Sequence, residues 1–186
     1  MVLLLSACVT AATSGAQAVY SRRSIQTNVN DQYTTMKIFQ ALNYKTKEFK
    51  NANISIATYN NEVLLAGQVP EAWQKVKAEQ IVKKIPDIGR VYNLLMVGSP
   101  SSTITKISDA WITTKVKTKL IASNDVDASQ IKVVTENGMV YLMGIIKPEE
   151  ADAAIEIASN TDGVQGVVKV FSYIQISKKK GAPIQS

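Results

Sequence analysis

The stretch QIKVVTENGMVYLMGII, from Gln130 to Ile146, decides the fold of the second half of the chain. Apolar residues alternate along it, which is the pattern of a half-buried β-strand. The alternation is interrupted at Asn137-Gly138, a pair that favours a tight hairpin turn because both residues tolerate a positive φ angle. The stretch therefore predicts two antiparallel strands joined by a short turn. The positions expected to face the core are Ile131, Val133, Val140 and Leu142.

Helical and extended patterns flank this hairpin. Upstream, DAWITTKVKTKL at residues 109–120 places Ile112, Val116 and Leu120 four residues apart, as in an amphipathic helix. Downstream, Pro148 lies where a second helix would begin, as Pro70 does in the first half of the chain, a position suited to proline. An apolar run at residues 167–176 then predicts a third strand. The order helix, strand, strand, helix, strand predicts an α+β sandwich with both helices on one face of a small sheet.

The chain contains this pattern twice. Three segments of the first half match three segments of the second half at nearly constant offsets of 78, 77 and 76 residues. A repeat of this length indicates two copies of one supersecondary unit. We therefore expect an αββαβ domain at residues 31–98, a Ser/Thr/Pro-rich linker at 99–108 and a second domain at 109–176. The matched segments are residues 31–42 with 109–120, 53–69 with 130–146, and 87–97 with 163–173.

The composition limits the chemistry that is open to the chain. It has no histidine and one cysteine, so the commonest general base and metal ligand are missing, and no disulfide can form within the chain. We expect no enzymatic activity, metal or cofactor, since no carboxylate pair, activated nucleophile or phosphate-binding glycine loop stands out. The net charge of +6 favours anionic partners. We expect no nucleic-acid partner, because the few arginines are not interleaved with aromatic residues.

The first residues resemble the end of a bacterial lipoprotein signal. Leu5-Ser6-Ala7-Cys8 matches the lipobox, in which the chain is cut before the cysteine and the cysteine is acylated. Residues 1–7 lack basic residues and are interpreted as a partial signal. Residues 8–30 are small, polar and aperiodic, as in a flexible tether. At the other end, residues 177–186 form a tail with three lysines.

The repeat and the lipobox together resemble a known family. Two αββαβ units of this kind are similar to BON domains, and their order behind a lipobox resembles the dual BON-domain outer-membrane lipoproteins. The likeness includes a glycine in the second strand of each copy, at Gly67 and Gly144. A glycine within a strand more often marks a bulge or a close backbone approach than a ligand site, so both are interpreted as structural.

The helix of the second copy carries a second apolar face. At about 100° per residue, Trp111 and Ile121 each lie about 140° from the centre of the core stripe, on either side of the opposite face. The matching face of the first copy, from Tyr33 to Asn43, is more polar and less basic, so function is expected in the second copy. The face comprises Trp111, Thr114, Thr118 and Ile121, flanked by Lys115, Lys117 and Lys119.

Three interpretations of this face remain open from the residues alone. Trp111 could pack against the first domain or the linker, since tryptophan is usually buried. It could form the centre of a protein–protein interface. It could also insert into a membrane interface, where tryptophan is favoured and lysines meet anionic headgroups.

The family resemblance implies the third interpretation. In the lipid-binding members, the corresponding helix of the second BON domain contacts anionic phospholipid, and the matching positions here are Trp111 and Ile121. The resemblance implies an outer-membrane lipoprotein that faces the periplasm, is anchored through acylated Cys8 and binds phosphatidylglycerol or cardiolipin. Its expected role is outer-membrane integrity, with an association with division sites. The alternative is an envelope scaffold that binds a protein partner, such as the outer-membrane protein assembly machinery. Haemolysin-like activity is least favoured, because no segment of the sequence resembles a pore-forming segment.

Overall fold

The computed structural model describes residues 29–42 and 47–173. The acylation site expected at Cys8, the segments 1–7 and 8–28, and the tail at 177–186 lie outside the described residues. Within them, the chain forms the order αββαβ twice, and the expected α+β class is confirmed.

The first copy consists of two helices and a small sheet. Its first helix, α1, covers residues 29–42 and is followed by a 3₁₀ turn at Lys47–Phe49. The remaining elements are β1 (Asn53–Tyr59), β2 (Glu62–Val69), α2 (Ala72–Lys83), β3 (Arg90–Asn93) and β4 (Met96–Val97). Strand β2 pairs antiparallel with β1 and parallel with β3 and β4.

The second copy repeats this topology. The helices and strands are α3 (Thr103–Ala122), β5 (Ile131–Glu136), β6 (Met139–Ile146), α4 (Pro148–Ser159) and β7 (Gly166–Tyr173). A 3₁₀ turn at Ala128–Gln130 leads into β5. Strand β6 pairs antiparallel with β5 and parallel with β7.

The last strand of the first copy is broken where the apolar pattern predicts a continuous one. The Asn93 amide donates to the backbone oxygen of Lys75, at 2.9 Å, and to the Glu79 carboxylate, at 3.0 Å, both on α2. Its side-chain oxygen also accepts from the Leu95 backbone N–H at 3.4 Å. These bonds turn the chain between β3 and β4. In the second copy the matching position is Lys169, and β7 runs through it without interruption.

The two second-strand glycines occupy equivalent, crowded places. A Cβ atom on Gly67 would lie 2.2 Å from the backbone oxygen of Asn53, and one on Gly144 would lie 2.2 Å from that of Gln130. The two acceptors are themselves equivalent positions of the repeat. In each copy, the backbone of the preceding segment therefore lies so close to the second strand that only glycine, which has no Cβ atom, fits at this position.

A buried aspartate joins each first helix to the hairpin turn of its own copy. The Asp109 carboxylate accepts from the backbone N–H groups of Asn137 and Gly138, both at 2.8 Å. Asp31 accepts from the Asn60 N–H at 3.1 Å in the first copy. The sequence patterns predicted the turns but not their attachment to the helices. Three of the four turn residues are asparagines at positive φ. In this conformation the N–H groups of each turn point to one side, where the aspartate carboxylate of the same copy accepts them.

Each copy buries one core between its helices and one face of its sheet. The predicted helical stripe of Ile112, Val116 and Leu120 is buried against Val140 and Leu142, as the alternation indicated. The equivalent core of the first copy includes Ile38, Leu42, Val63 and Leu65.

The other faces of the two sheets pack against each other. Leu64 and Ala66 of β2 form a third buried cluster with Tyr141 and Met143 of β6 and Val170 of β7. The molecule is therefore layered as helices, sheet, sheet, helices. Sequence reasoning left the packing between the copies open, and the structure shows that each sheet covers the other.

Polar contacts of β1 with β5 and with the 3₁₀ turn before it show that the two copies are related by an approximate two-fold axis. Asn53 Nδ2 donates to Glu136 at 2.8 Å, and Tyr59 Oη donates to Gln130 Oε1 at 2.8 Å. Asn53 matches Gln130, and Tyr59 matches Glu136, at the repeat offset of 77. Each pair is thus the image of the other, as in an isologous dimer interface.

Charged groups lie within this interface. Glu136 also accepts a hydrogen bond from the Ser55 hydroxyl and is buried. Burial raises the pKa of Glu136 above the ordinary value of 4.5, and the nearby carboxylate of Asp109 also raises it. The interface therefore holds Glu136 in a place where the charged form costs free energy.

We expect Asp109→Ala to lower the free energy of unfolding by about 2–4 kcal/mol, because two buried N–H groups lose a charged acceptor. Asp109→Asn keeps one acceptor oxygen in the same place and should lose less. Chemical denaturation of the full chain measures both changes. Unfolding of the alanine variant at the wild-type midpoint would show that the helix–turn contact does not stabilise the fold.

We expect Glu136→Gln to stabilise the chain near neutral pH. A raised pKa in the folded state means that the wild type loses stability as pH rises from about 4.5 through the folded pKa, and the glutamine variant avoids this loss. The difference in stability between wild type and the glutamine variant should vanish below pH 4.5. Burial also raises the pKa of Asp31, but Asp31 is present in both proteins and contributes to the stability of each. Melting temperatures between pH 4 and 8 test this, with exposed Glu149→Gln as the control. A glutamine variant less stable than wild type at pH 7.5 would contradict it.

Candidate functional site

The outward face of α3 is apolar and open to solvent. Trp111 is 65% exposed and Ile121 is 74% exposed, although both belong to a helix whose opposite side is almost fully buried. The interpretation in which Trp111 packs against the first domain or the linker is therefore wrong for the described chain. The sheet takes up the core side of α3, and the first domain covers the far side of that sheet, so no residue of ranges 29–42 and 47–173 covers the outer side of the helix.

Two further apolar residues extend this face towards the start of the helix. Ile104 is 80% exposed and Ile107 is 67% exposed. They were missed because α3 begins at Thr103, within the segment expected to be linker, where the Ser102 side chain accepts from the Thr105 N–H at 3.1 Å. The three-four spacing from Ile104 through Ile107 to Trp111 is the signal that could have found them. The outer stripe of α3 comprises Ile104, Ile107, Trp111, Thr114, Thr118 and Ile121.

The geometry of the outer stripe is that of one continuous strip. At 1.5 Å per residue, the seventeen steps from Ile104 to Ile121 span about 25 Å. At about 100° per residue, its six members fall within an arc of about 100°, opposite the core stripe. A flat apolar surface could therefore contact the whole stripe at once.

The two threonines of the outer stripe turn no unpaired polar group outward. Thr114 Oγ1 donates to the backbone oxygen of Ala110 at 2.9 Å, and Thr118 Oγ1 donates to that of Thr114 at 2.9 Å. Such bonds within the helix satisfy the hydroxyl hydrogens. Covering the stripe with an apolar surface would then cost less than covering two unpaired hydroxyl groups.

The three lysines predicted to flank the face have different surroundings. The Lys115 ammonium donates to the backbone oxygen of Asp162, and that of Lys119 donates to Asn160 at 2.9 Å. Both acceptors lie just beyond the C-terminal end of α4, where the helix dipole favours a positive charge. Lys117 lies on the other flank of the stripe and makes no hydrogen bond or ion pair with the described part of the chain. Lys106 lies on the same flank as Lys117, about one and a half turns of helix before the tryptophan.

The matching face of α1 is more apolar than the comparison of the two repeat copies predicted. Val29, Tyr33, Met36 and Phe39 are all exposed. The difference from α3 lies in charge, because the Lys37 ammonium stands over the Tyr33 ring, 4.3 Å from its centroid. The outer stripe of α3 thus combines exposed apolar residues with Lys117 on its flank, a lysine that no described residue pairs.

The described residues contain neither a membrane-spanning helix nor a metal-binding cluster. In residues 29–42 and 47–173, no helix has both the length and the hydropathy to cross a bilayer. The same ranges contain no cluster of three residues able to act together as metal ligands.

Comparison with known families agrees with the repeat. The BON domain model matches residues 30–99 and again residues 108–175, which together make up more than half of the chain. The chain belongs to the BON-domain family and contains two BON domains. The resemblance inferred from the two glycine-containing hairpins is confirmed.

Relatives of similar length share most of the chain. The outer membrane lipoprotein DolP of Haemophilus influenzae is 35% identical over 92% of this chain and 91% of its own length. The 21 kDa hemolysin of Actinobacillus pleuropneumoniae is 36% identical over 82% of this chain and 79% of its own. The osmotically-inducible protein Y of Escherichia coli is 28% identical, with coverages of 83% and 78%.

Substitutions on the two sides of α3 should separate exposed from buried residues. We expect Ile107→Ser and Trp111→Ser to change the free energy of unfolding by less than about 0.5 kcal/mol, since neither side chain is packed. Ile112→Ala on the core side should cost about 2–5 kcal/mol. Denaturant unfolding of the three variants measures this. A large loss for Trp111→Ser would mean that the tryptophan is covered in solution.

Proposed function

We propose that this chain is an envelope lipoprotein of the outer membrane whose second BON domain binds anionic phospholipid through the outer stripe of α3. The observation that carries the proposal is an exposed apolar strip on a rigid helix, with lysines on both flanks. The relatives support the location, because one of the most similar is an outer membrane lipoprotein. In this proposal, Cys8 is acylated and the two domains face the periplasm.

The energies define the role of the helix. Burying Trp111 and Ile121 contributes roughly 1.5–3 kcal/mol each at best. A lysine near an anionic surface contributes about 1 kcal/mol. Acyl chains contribute about 0.8 kcal/mol per buried methylene, so an acylated Cys8 outweighs the helix. The helix is therefore proposed to select where on the membrane the anchored protein settles.

The proposed ligands are phosphatidylglycerol and cardiolipin, which combine an anionic headgroup with acyl chains. The headgroup charge matches the lysines, and the apolar region beneath it matches the outer stripe. By settling on membrane rich in these lipids, the protein would support outer-membrane integrity at chosen places, including division sites. Fluorescent fusions of the wild-type chain and of a variant with a substituted outer stripe, compared in cells, would test whether the stripe directs the protein to these places.

We expect Trp111→Glu to abolish binding of the full chain, prepared without acylation, to vesicles of phosphatidylcholine with phosphatidylglycerol, because the substitution places a negative charge at the centre of the stripe. Trp73→Glu is the matched control, since Trp73 is also half exposed but lies on α2 of the first copy. Co-sedimentation measures bound protein, and added salt should weaken the wild-type binding. If the Trp111→Glu variant pellets as well as wild type, the proposed lipid surface is wrong.

A second candidate function follows from the spacing of the outer stripe. Its residues alternate three and four apart from Ile104 to Ile121, which is the spacing that packs one helix against another. A partner of the envelope, such as a component of the outer-membrane protein assembly machinery, could therefore bind the same face. Binding of wild type to protein-free vesicles would favour the lipid, and crosslinking from residue 107 or 111 to a protein in intact envelopes would favour the scaffold.

One relative is named a hemolysin, which makes membrane lysis a property to measure. We expect no release of dye from vesicles at saturating concentrations of the chain, because the proposed contact is superficial. Release that depends on Trp111 would instead assign lysis to the outer stripe.

A further inference from the structure

A groove runs along the seam between the two copies, next to the outer stripe. It has a volume of about 390 Å³ and is lined by α1, β1, α3 and β5. We call it the seam groove. Its polar lining consists of Gln32 and Thr35 of α1, Thr58 of β1, Lys117 of α3 and Lys132 of β5.

Lys132 provides a positive charge at the floor of the seam groove. Its ammonium donates to the backbone oxygen of Thr58 and lies 3.9 Å from the buried Asp31 carboxylate. An ammonium has three N–H donors, and the side chain is 32% exposed, so part of its donor capacity faces the groove. Burial lowers the pKa of Lys132, and the charge of Lys117 lowers it further. The negative charge of a bound anion would offset both effects, because it favours the protonated ammonium.

Lys117 joins the seam groove to the outer stripe. It lines the groove from α3. On the helix it lies about 40° from Ile121 and about 60° from Thr114, at the edge of the stripe. Two ammonium groups thus meet in the groove with one carboxylate behind them, which leaves an excess of one positive charge.

The repeat contains a second groove with the same scaffold and the opposite charge. Thr113 Oγ1 donates to Thr135 Oγ1 at 2.7 Å there, just as Thr35 donates to Thr58 at 2.9 Å beside the seam groove. The second groove contains the carboxylates of Asp109 and Glu136, with Lys106 at its edge. The two carboxylates of the second groove would repel an anion. The second groove is therefore a negative control for anion binding within the same chain.

We propose that the seam groove binds the phosphate of an anionic phospholipid whose acyl chains lie along the outer stripe. This inference rests on the proposed function and adds the headgroup site to it. Lys117 and Lys132 contact the phosphate from two sides, and the Gln32 amide, which also lines the groove, donates to one of its remaining oxygens. The lipid then bridges the two copies, so headgroup selection requires both domains.

The probe is dihexanoyl phosphatidylglycerol below its micellar concentration, added to the full chain and followed by NMR. We expect saturable shifts at Thr58 and Lys132, and an affinity that Lys117→Gln lowers about fivefold, the change that one lysine contact is expected to give. Lys169→Gln, at an exposed lysine of β7 that lines neither groove, is the control and should leave the affinity unchanged. Lys132→Gln should lower the affinity as well, with its melting temperature measured beside it, because this substitution removes the ammonium group 3.9 Å from the Asp31 carboxylate.

Each arm has an outcome that overturns the inference. Inorganic phosphate should bind more than tenfold more weakly than the short-chain lipid; equal affinity would make this a phosphate site rather than a lipid site. Dihexanoyl phosphatidylcholine should not produce the Lys132 shift, and an equal shift would remove headgroup selection. If vesicle binding depends on Trp111 while Lys117→Gln has no effect on either assay, the seam groove is not the headgroup site and the proposed function stands. If wild type binds no vesicles at all, the proposed function fails.

Discussion

The face-to-face contact of the two sheets is the constraint on which the rest of the structure depends. Each BON domain places both helices on one face of its sheet and leaves the other face apolar, with Leu64 and Ala66 in one copy and Tyr141 and Met143 in the other. Exposing such faces to water would cost about 25 cal/mol for each Å² of apolar surface. The copies avoid this by covering each other, and all four helices are thereby placed on the outside.

This arrangement gives each helix one buried side and one free side. On α3 the free side carries the outer stripe, and on α1 it carries Tyr33 and Met36. The approximate two-fold axis also brings β1 and β5 together, so that residues of one copy complete grooves of the other. The two grooves have the same backbone scaffold but different charges, because Lys132 matches Ser55 and Glu136 matches Tyr59 in the repeat. Divergence at a few seam positions therefore gives two equivalent places different chemistry.

Local sequence patterns predicted much of the fold but not the contacts between its helices and strands. The hairpins, the core stripe of α3 and the helix start at Pro148 agree with the structure, because each depends on a few neighbouring residues. In the first copy α2 begins at Ala72, two residues after Pro70, since the Glu71 N–H is held by the Gln74 side chain at 2.8 Å. The break between β3 and β4 depends on contacts of Asn93 with α2, and these are invisible to a strand pattern. Ile104 and Ile107 were missed because their neighbours read as linker.

The sequence by itself determined that the chain is a pair of αββαβ units with one basic, apolar-faced helix, because repetition, alternation and helical spacing are all properties of short segments. Only the tertiary structure decided which apolar residues stay exposed, since exposure depends on what the other copy covers. It also decided that Lys115 and Lys119 bond to the end of α4, while Lys117 makes no such bond within the described residues and lines a groove with Lys132. Contacts of that kind join residues that are far apart in the chain, and no local pattern encodes the distance between them.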